Sequence, residues 1–497
     1  MENQNDNTVN AEIDLNEVMR IRREKLARLI NIGENPYEEV KYEKDAYARN
    51  IKDNFEGFEG KTVSLAGRIL SKRLMGKASF LNISDETGGM QLYLRSYEMP
   101  EDFEKFKEFD IGDVIGVKGK VFKTRTGEIS VHLSFIKLLS KSLLPLPEKF
   151  HGLKDPDLRY RQRYVDLIAN PEVKDVFVLR SKIIKALRDF IDSKGFIEVE
   201  TPVLNVIAGG AAAKPFITKH NTLDMNMFLR IAPELYLKRL IVGGFEKVYE
   251  IGRVFRNEGM SVRHNPEFTI FELYQAYADY TDMLNLTESI YKHIAQSVFG
   301  RLVFTYQGAE VDLGEPFKRL TMVQAVREYT GLDFDSMDAA QARKALAGRG
   351  IDVPKNGTWG GLLYLAFDNF VEDKLIRPAF ILDYPIEVSP LAKAKKADKR
   401  LTERFEFFLC GREMGNAYSE LNDPIDQKER FTAQVKAKEA GDEEAHSMDE
   451  DFVTALEYAM PPTGGLGLGI DRMVMFFTDS FSIRDVLLFP TMKPKKS

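Results

Sequence analysis

The chain has 497 residues, 44% hydrophobic and 29% charged, with a formal net charge of −6 and one cysteine. That length accommodates roughly two or three domains of ordinary globular composition. It has no apolar run long enough to span a bilayer, and the lone Cys410 excludes an intramolecular disulfide framework and a cysteine-built metal site. The polar, acidic opening MENQNDNTVNAEIDLNE lacks the pattern of a signal or transit peptide, so a cytoplasmic location is expected. The net charge does not announce a nucleic-acid binder, although local basic patches can still hold RNA.

Residues 1–60 read as an N-terminal segment, with a disordered tail over 1–13 and a helix over Leu15–Ile32. The helical period runs through Val18, Ile21, Leu26, Leu29 and Ile30, and Gly33 is the stop signal. The polar face carries Arg20, Arg22, Arg23, Lys25 and Arg28, which fits either a solvated face or contact with an RNA backbone. Residues 61–142 hold five strand-like runs, TVSLAGRIL, ASFLNISD, MQLYLRS, VIGVKGKVFKT and ISVHLSFIKLL, with the short amphipathic helix EMPEDFEKFKEFD after the third. That order is the order of an OB-fold barrel, which binds single-stranded nucleic acid by stacking bases on aromatics over a basic groove. Phe80, Arg73, Gln91 and Glu128 are the candidate residues on that surface. Residues 143–174 read as a linker stiffened by prolines, whose arginines can track RNA.

Residues 175–497 read as one mixed, largely antiparallel α+β domain. A helix starting at Asp175 uses Val176, Leu179, Ile183, Leu187, Phe190 and Ile191 and ends at Gly195; the strand FIEVETPVL comes next. Further strands are expected at KVYEIGRVF, FTIFELYQAY, Pro378–Asp383, FEFFLCGREMGNAYSEL and GLGLGI. Residues 318–377 read as a helical insertion, and LAKAKKADKR (Leu391–Arg400) as a basic, mobile loop.

The most informative window is Tyr249–Tyr274, YEIGRVFRNEGMSVRHNPEFTIFELY, read as two strands joined by a loop. Arg256 and Glu258 at i, i+2 share one face of the first strand, and Phe268, Ile270, Glu272 and Tyr274 share one face of the second. Arg263, His264 and Asn265 fall between. An arginine that can pair a phosphate or carboxylate bidentately, a basic loop and a phenyl face together suit a polyanionic nucleotide. Farther on, Thr463–Phe477, TGGLGLGIDRMVMFF, places four glycines within six residues before Asp471-Arg472 opens an apolar helix. It has neither the dinucleotide fingerprint nor a phosphate-loop spacing, so a nucleotide site here is of another kind. In Phe405–Leu421, a turn at Gly411 would bring Glu406 and Glu413 together, two carboxylates of the kind Mg²⁺ takes with phosphate oxygens. Asn416, Tyr418 and Glu420 fall at i, i+2, i+4, and Glu234 comes after Pro233 at a helix start. An acidic pocket of this composition suits a substrate with two ammonium groups.

FRNEG…HNPEF…ELY and GLGLGIDRM resemble motifs 2 and 3 of the class II aminoacyl-tRNA synthetases, and GFIEVETPVL resembles motif 1, with Pro202 as its proline. GGAAAKPF, RIAPELYLKRL and GREMGNAYSELND are similar to the lysyl-tRNA synthetases of class II, from about Leu15 to the C-terminus. The resemblance implies a class II antiparallel-sheet catalytic domain behind an N-terminal OB-fold anticodon-binding barrel. It implies ATP-dependent activation of L-lysine, transfer to the 3′ end of its tRNA, Mg²⁺ ions and a homodimer with Pro202 near the two-fold axis. It assigns Arg256 and Arg472 to catalysis. Glu258, Arg263, His264, Asn265, Phe268 and Glu406 join them on ATP, and Glu406 and Glu413 hold metal. Gly210, Glu234, Arg256, Glu272, Tyr274, Asn416, Tyr418 and Glu420 fall on the amino acid, and Arg73, Phe80, Gln91 and Glu128 on the anticodon. An aspartate- or asparagine-specific relative, which needs a cationic or neutral pocket, and a non-catalytic tRNA-binding paralogue are the alternatives.

Overall fold

The computed structural model describes residues 2–147, 153–354, 356–439 and 447–495. They form two compact units, Met1–Leu153 and Lys154–Ser497. Of the predicted linker, residues 148–152 lie outside the described residues. From Pro156 the chain is not a tether but two short helices, Pro156–Arg161 and Arg163–Ala169. Asp155 caps the first, accepting from the Asp157 amide at 2.9 Å, and Pro156 occupies the first helical position, where its missing N–H costs nothing. Arg163 does not reach for RNA. It is buried, donating to Asp166 at 2.6 Å and to the carbonyls of Arg484 and Leu488.

In the first unit, helix α1 spans Glu2–Asn31. The segment expected to be a disordered tail is therefore helical, since no Pro or Gly interrupts the hydrogen-bond ladder before Gly33. Most of the basic face is used within the unit. Arg22 is buried and donates to the carbonyls of Ile111, Ser142 and Leu144, Lys25 pairs with Asp110, and Arg28 with Glu108. Arg20 and Arg23 remain exposed. Strands β1 (Thr62–Met75), β2 (Ala78–Ser84), β3 (Gly89–Arg95), β4 (Val114–Lys123) and β5 (Ile129–Ser140) close a barrel in the order β1-β2-β3-β5-β4, with helix α2 (Pro100–Lys107) between β3 and β4. Period-two alternation explains its interior: Leu81, Ile83, Leu92 and Leu94 point in, leaving Phe80, Gln91 and Tyr93 on the outer face.

The second unit is built on one eight-stranded sheet. Helix α3 (Glu172–Ser193) leads into β6 (Ile197–Glu198), and helix α4 (Glu234–Val242) precedes the hairpin β7 (Lys247–Phe255) and β8 (Glu267–Ala276). Helix α5 (Tyr280–Ile294) is next. Then come β9 (Lys318–Thr321), β10 (Ala379–Leu382), β11 (Arg404–Phe408), β12 (Glu413–Ser419), β13 (Thr463–Gly469) and helix α6 (Ile470–Phe477). The sheet order is β9-β10-β11-β12-β13-β8-β7-β6, antiparallel across its six central strands and parallel at both edges. One face packs on α3, α5 and α6 through Ile183, Leu187, Tyr291, Phe407 and Phe477. Motif-like FIEVETPVL forms only short pairings, at Ile197–Glu198 and Leu204–Asn205.

Two further expectations change. The 318–377 insertion is not wholly helical: Lys318–Thr321 pairs in parallel with β10, because its residues add a strand at an open sheet edge before the helices begin. The helices over 322–370 share a core with that edge through Met322, Leu363, Phe367 and Phe408. Leu391–Arg400 is a loop, but a pinned one. Ala392 bridges to Glu420 and Ala394 to Thr402, Leu391 and Ala392 are buried, and Lys395 pairs with Asp383 at 2.7 Å.

Asp471, at the start of α6, locks three elements together. It accepts from Arg180 of α3 at 2.6 Å and from the Thr269 amide of β8 at 2.7 Å, while Arg180 also reaches Thr269 Oγ1 at 3.1 Å. Both charges are largely buried. Asp471→Ala is expected to lower unfolding free energy by about 3–5 kcal/mol by stranding the Arg180 guanidinium. Urea unfolding checks this, and a loss under about 1 kcal/mol would contradict it.

Candidate active site

The sheet face away from α3 and α6 opens into a cavity of about 520 Å³, walled by β8, β11, β12 and β13, the β7–β8 loop and the N-terminus of α4. The sequence-predicted residues Gly210, Glu234, Arg256, Glu258, Arg263, His264, Asn265, Phe268, Glu272, Tyr274, Glu406, Glu413, Asn416, Tyr418, Glu420 and Arg472 all line it. Arg73, Phe80, Gln91 and Glu128 belong to the other unit, and Pro202 is exposed elsewhere on this one.

One end of the cavity is cationic. Arg256 and Glu258 are not on the first strand, as their spacing suggests; β7 ends at Phe255 and both sit in the loop. The hairpin still fixes Arg256 through its amide, which donates to the Pro266 carbonyl at 2.8 Å. Its Nε is buried without a hydrogen-bond partner, and its guanidinium lies 5.1 Å from the centre of the Phe268 ring. A buried donor without an acceptor points to a ligand acceptor at this place. Burial holds the Arg256 guanidinium below its usual pKa, against the opposing charges of Glu258, Glu413 and Glu272. Ser261 organises the loop, its hydroxyl accepting from the amides of Arg263 and His264. His264 is held below its ordinary pKa by burial and then by Arg472 and Arg263, so its imidazole is neutral at pH 7. Asn265 spends its side-chain amide on the Glu267 carbonyl at 2.6 Å. Arg472 donates to the Glu413 backbone carbonyl at 2.6 Å and lies 3.2 Å from its carboxylate.

Beside it stand the two carboxylates read as metal ligands. Glu406 accepts from Arg404 at 2.6 Å and from the Tyr384 hydroxyl at 2.8 Å. Burial, then the charge of Glu413, push the Glu406 carboxyl up to about 7, with Arg404 opposing. Among the described residues no cluster of three His, Cys, Asp or Glu side chains is preassembled for a metal ion. These two carboxylates are hard oxygen donors, Glu406 buried and raised in part by the charge of Glu413, which a cation would relieve, so they fit Mg²⁺ completed by phosphate oxygens.

The other end is acidic. Glu234, Glu272 and Glu420 are each buried there, with Tyr274 donating to Glu272 at 3.1 Å and Tyr418 donating to Glu234 at 2.5 Å. Burial, then Glu234, push Glu272 up to about 8; burial also raises Glu420 well above the carboxylate range, with Lys238 opposing. The strand register builds this end. Gly465 of β13 faces Tyr274 on one side and Tyr418 on the other, and Gly467 faces Glu272 and Asn416. Side chains from both flanking strands thus meet over a floor that has none.

Several residues escaped the sequence reading. Lys238 sits fully buried between Glu234 and Glu420; its i+4 spacing from Glu234 looks like an ordinary exposed helix pair, and only tertiary packing buries it. Arg404 links Glu406 to Asn416, which accepts from it at 2.9 Å. On the barrel, the ring centre of Phe80 lies 4.8 Å from that of Tyr93, and Tyr93 in turn packs beside Phe122 and His132. Arg73 pairs in register with Phe80, Gln91 accepts from Ser130 at 2.8 Å, and Glu128 lies 3.7 Å from Lys52.

The profile of the tRNA synthetases class II (D, K and N) matches residues 155–493, and that of the OB-fold nucleic acid binding domain matches 63–139. The chain belongs to the class II tRNA synthetases. A protein named Lysine--tRNA ligase from Thermoanaerobacter sp. (strain X514) is 59% identical over 497 residues, covering all of both chains. One of the same name from Pelotomaculum thermopropionicum is 60% identical over 489 residues, 98% of this chain and 96% of its own length. The class II antiparallel sheet and OB-fold barrel expected from the sequence are both present.

For this synthetase the glycine floor yields a test. A Cβ on Gly465 would overlap the Glu420 carboxylate and lie 2.7 Å from a Tyr274 ring carbon, whereas one on Gly467 meets nothing closer than 3.8 Å. Gly465→Ala is expected to lose about 1–3 kcal/mol of stability to overpacking, and Gly467→Ala to stay within about 0.5 kcal/mol of the parent. Thermal unfolding of the pair decides, and equal effects would contradict the packing.

Proposed function

We propose that this synthetase is a lysine–tRNA ligase working at the cavity in two steps. A carboxylate oxygen of lysine attacks the α-phosphorus of ATP, a P–O bond to the β-phosphate breaks, and pyrophosphate leaves. A ribose hydroxyl at the 3′ end of the tRNA then attacks the carbonyl of the lysyl-adenylate and AMP departs. The carboxylate is already ionised at neutral pH, so the first step needs no general base. It needs positioning and neutralisation of charge, and the walls are made of groups that supply both.

The observation that carries the reading is the acidic end: three buried carboxylates beside two tyrosine hydroxyls. Two ammonium groups on one small substrate answer it. An aspartate or asparagine side chain would face repulsion or unpaired carboxylates there, although the family profile includes synthetases for both. In this reading Glu234 and the Gly210 backbone take the α-ammonium, Glu272, Tyr274 and Glu420 the ε-ammonium, and Asn416 and Tyr418 line the pocket. Arg256 bridges the lysine carboxylate and the α-phosphate. Glu258 accepts from the adenine amino group, Phe268 stacks on the ring, and Arg472 covers its other side toward the outer phosphates with Arg263, His264 and Asn265. Glu406 and Glu413 would hold Mg²⁺, which when bound neutralises triphosphate charge. The presence of Arg256, Arg472 and both carboxylates supports an active enzyme over a tRNA-binding paralogue. Pyrophosphate exchange with each of the twenty amino acids tests the reading. Exchange dominated by lysine is expected; exchange with aspartate or asparagine, or none at all, would overturn it.

The barrel is the proposed anticodon reader, with Phe80 offering a stacking face beside Tyr93 and with Arg73, Gln91 and Glu128 around it. Phe80→Ala is expected to weaken tRNA charging by about 1–3 kcal/mol of lost stacking, and to leave tRNA-independent exchange intact. Equal loss in both assays would show that Phe80 is structural.

A homodimer is proposed from the apolar strip of Pro202, Val203, Leu204, Val206, Ile207 and Ile217, all exposed on this chain. A strip of this kind marks an association surface, and a two-fold axis would bury it isologously. Sedimentation at micromolar concentration should give twice the mass of one chain; a fully active single-chain species would refute it. No described helix is long and apolar enough to cross a membrane, and a cytoplasmic location is part of the proposal.

A further inference from the structure

Lys238 is the most unusual group that the mechanism above leaves unused. It projects from α4 with none of its side chain exposed, between two of the three pocket carboxylates. Its ammonium donates to Glu234 Oε1 at 2.5 Å and pairs with Glu420, whose carboxylate has no aligned hydrogen bond. The remaining neighbours are aromatic faces, with the ammonium 5.5 Å from the Tyr418 ring centre, 5.9 Å from Phe452 and 6.0 Å from Tyr274. With none of its side chain exposed, the Lys238 charge is balanced by these carboxylates rather than by solvent.

We propose that Lys238 is a positioning residue for amino-acid selection: a resident ammonium that cancels one of three pocket carboxylates and holds Glu234 and Glu420 aimed. With substrate bound and all three carboxylates ionised, Glu234, Glu272 and Glu420 carry three negative charges, and Lys238 leaves a pocket of charge −2. The two ammonium groups of lysine match that remainder. Without Lys238 a further proton must take its place on a carboxylate, and a protonated carboxyl is a poor partner for an ammonium. The tether to α4 also matters. Glu234 and Lys238 stand one helical turn apart, so the ammonium is fixed relative to the carboxylate proposed for the α-ammonium. Its other contact, Glu420, lies just past the end of β12 and is proposed for the ε-ammonium. Lys238 thus sets the spacing between the two recognition points as well as their charge. The inference rests on lysine being the substrate.

The test uses Lys238→Met and Lys238→Gln in the full chain, assayed by pyrophosphate exchange with lysine and with its neutral analogue 6-hydroxynorleucine. Lys238→Met is expected to lower kcat/KM for lysine on the order of 100-fold, as for other broken buried charge pairs, with the KM for ATP unchanged. The preference for lysine over the neutral analogue should shrink by at least about tenfold, because only a charged substrate depends on ionised carboxylates. A merely structural lysine would lower both substrates together and leave the ratio unmoved, which would overturn the proposal. Lys238→Gln keeps a polar group in the site, so if Lys238→Met does not fold, the same ratio is read from Lys238→Gln. If that variant is folded and keeps the parent's ratio, or if neither variant folds, Lys238 is structural and the proposal fails. If the parent enzyme does not exchange with lysine, the substrate reading fails first; if the parent does and the variants keep its ratio, only the role of Lys238 falls.

Discussion

The second unit is organised around the burial of like charges. Three carboxylates buried close together are costly, and Lys238 offsets only part of that cost in the empty enzyme. Their raised pKa values express the strain: Glu272 is pushed up to about 8 and Glu420 well above its ordinary range, in each case first by burial. A pocket like this is poised for cations. Ionising Glu272 without a partner costs stability as pH rises from about 4.5 toward about 8, and a bound ammonium would remove that cost.

The rest of the architecture serves to hold that constellation. The glycines of β13 let side chains of β8 and β12 converge, and α4 brings Glu234 and Lys238 in from the side. Asp471 and Arg180 tie the start of α6 to β8 and α3, so the helix that carries Arg472 is anchored at its first turn. Arg404 spans from Glu406 to Asn416, joining two parts of the cavity wall through one guanidinium. Arginine suits that span because its planar fork donates in two directions while keeping its charge.

Much of this was legible in the sequence. The barrel strands showed as alternating runs because one face is core and the other is wet, and the β7–β8 hairpin showed through its polar residues interleaved with apolar ones. Glu272, Tyr274, Asn416 and Tyr418 could be placed on common faces by period two alone. What stayed hidden depended on tertiary burial or on local endings. Lys238 and Glu234 spell an ordinary helix-surface pair, and nothing in PELYLKRL says that both are enclosed. Arg256 and Glu258 lie past the end of β7, where spacing no longer reports a face. The segment around Pro156 read as linker but begins a helix, and Lys318–Thr321 looked like part of a helical insertion but completes a sheet edge.

Proton release on lysine binding tests the central claim most directly. Burial and the charge of Glu234 favour the protonated form of Glu272 in the empty pocket, and an ammonium beside it favours the ionised form, so binding is expected to expel protons. Titration calorimetry of lysine into the enzyme at pH 7, in buffers of different ionisation enthalpy, counts the protons. Net release of protons is expected, and Glu272→Gln is expected to reduce it. Binding without proton release, or with uptake, would contradict it.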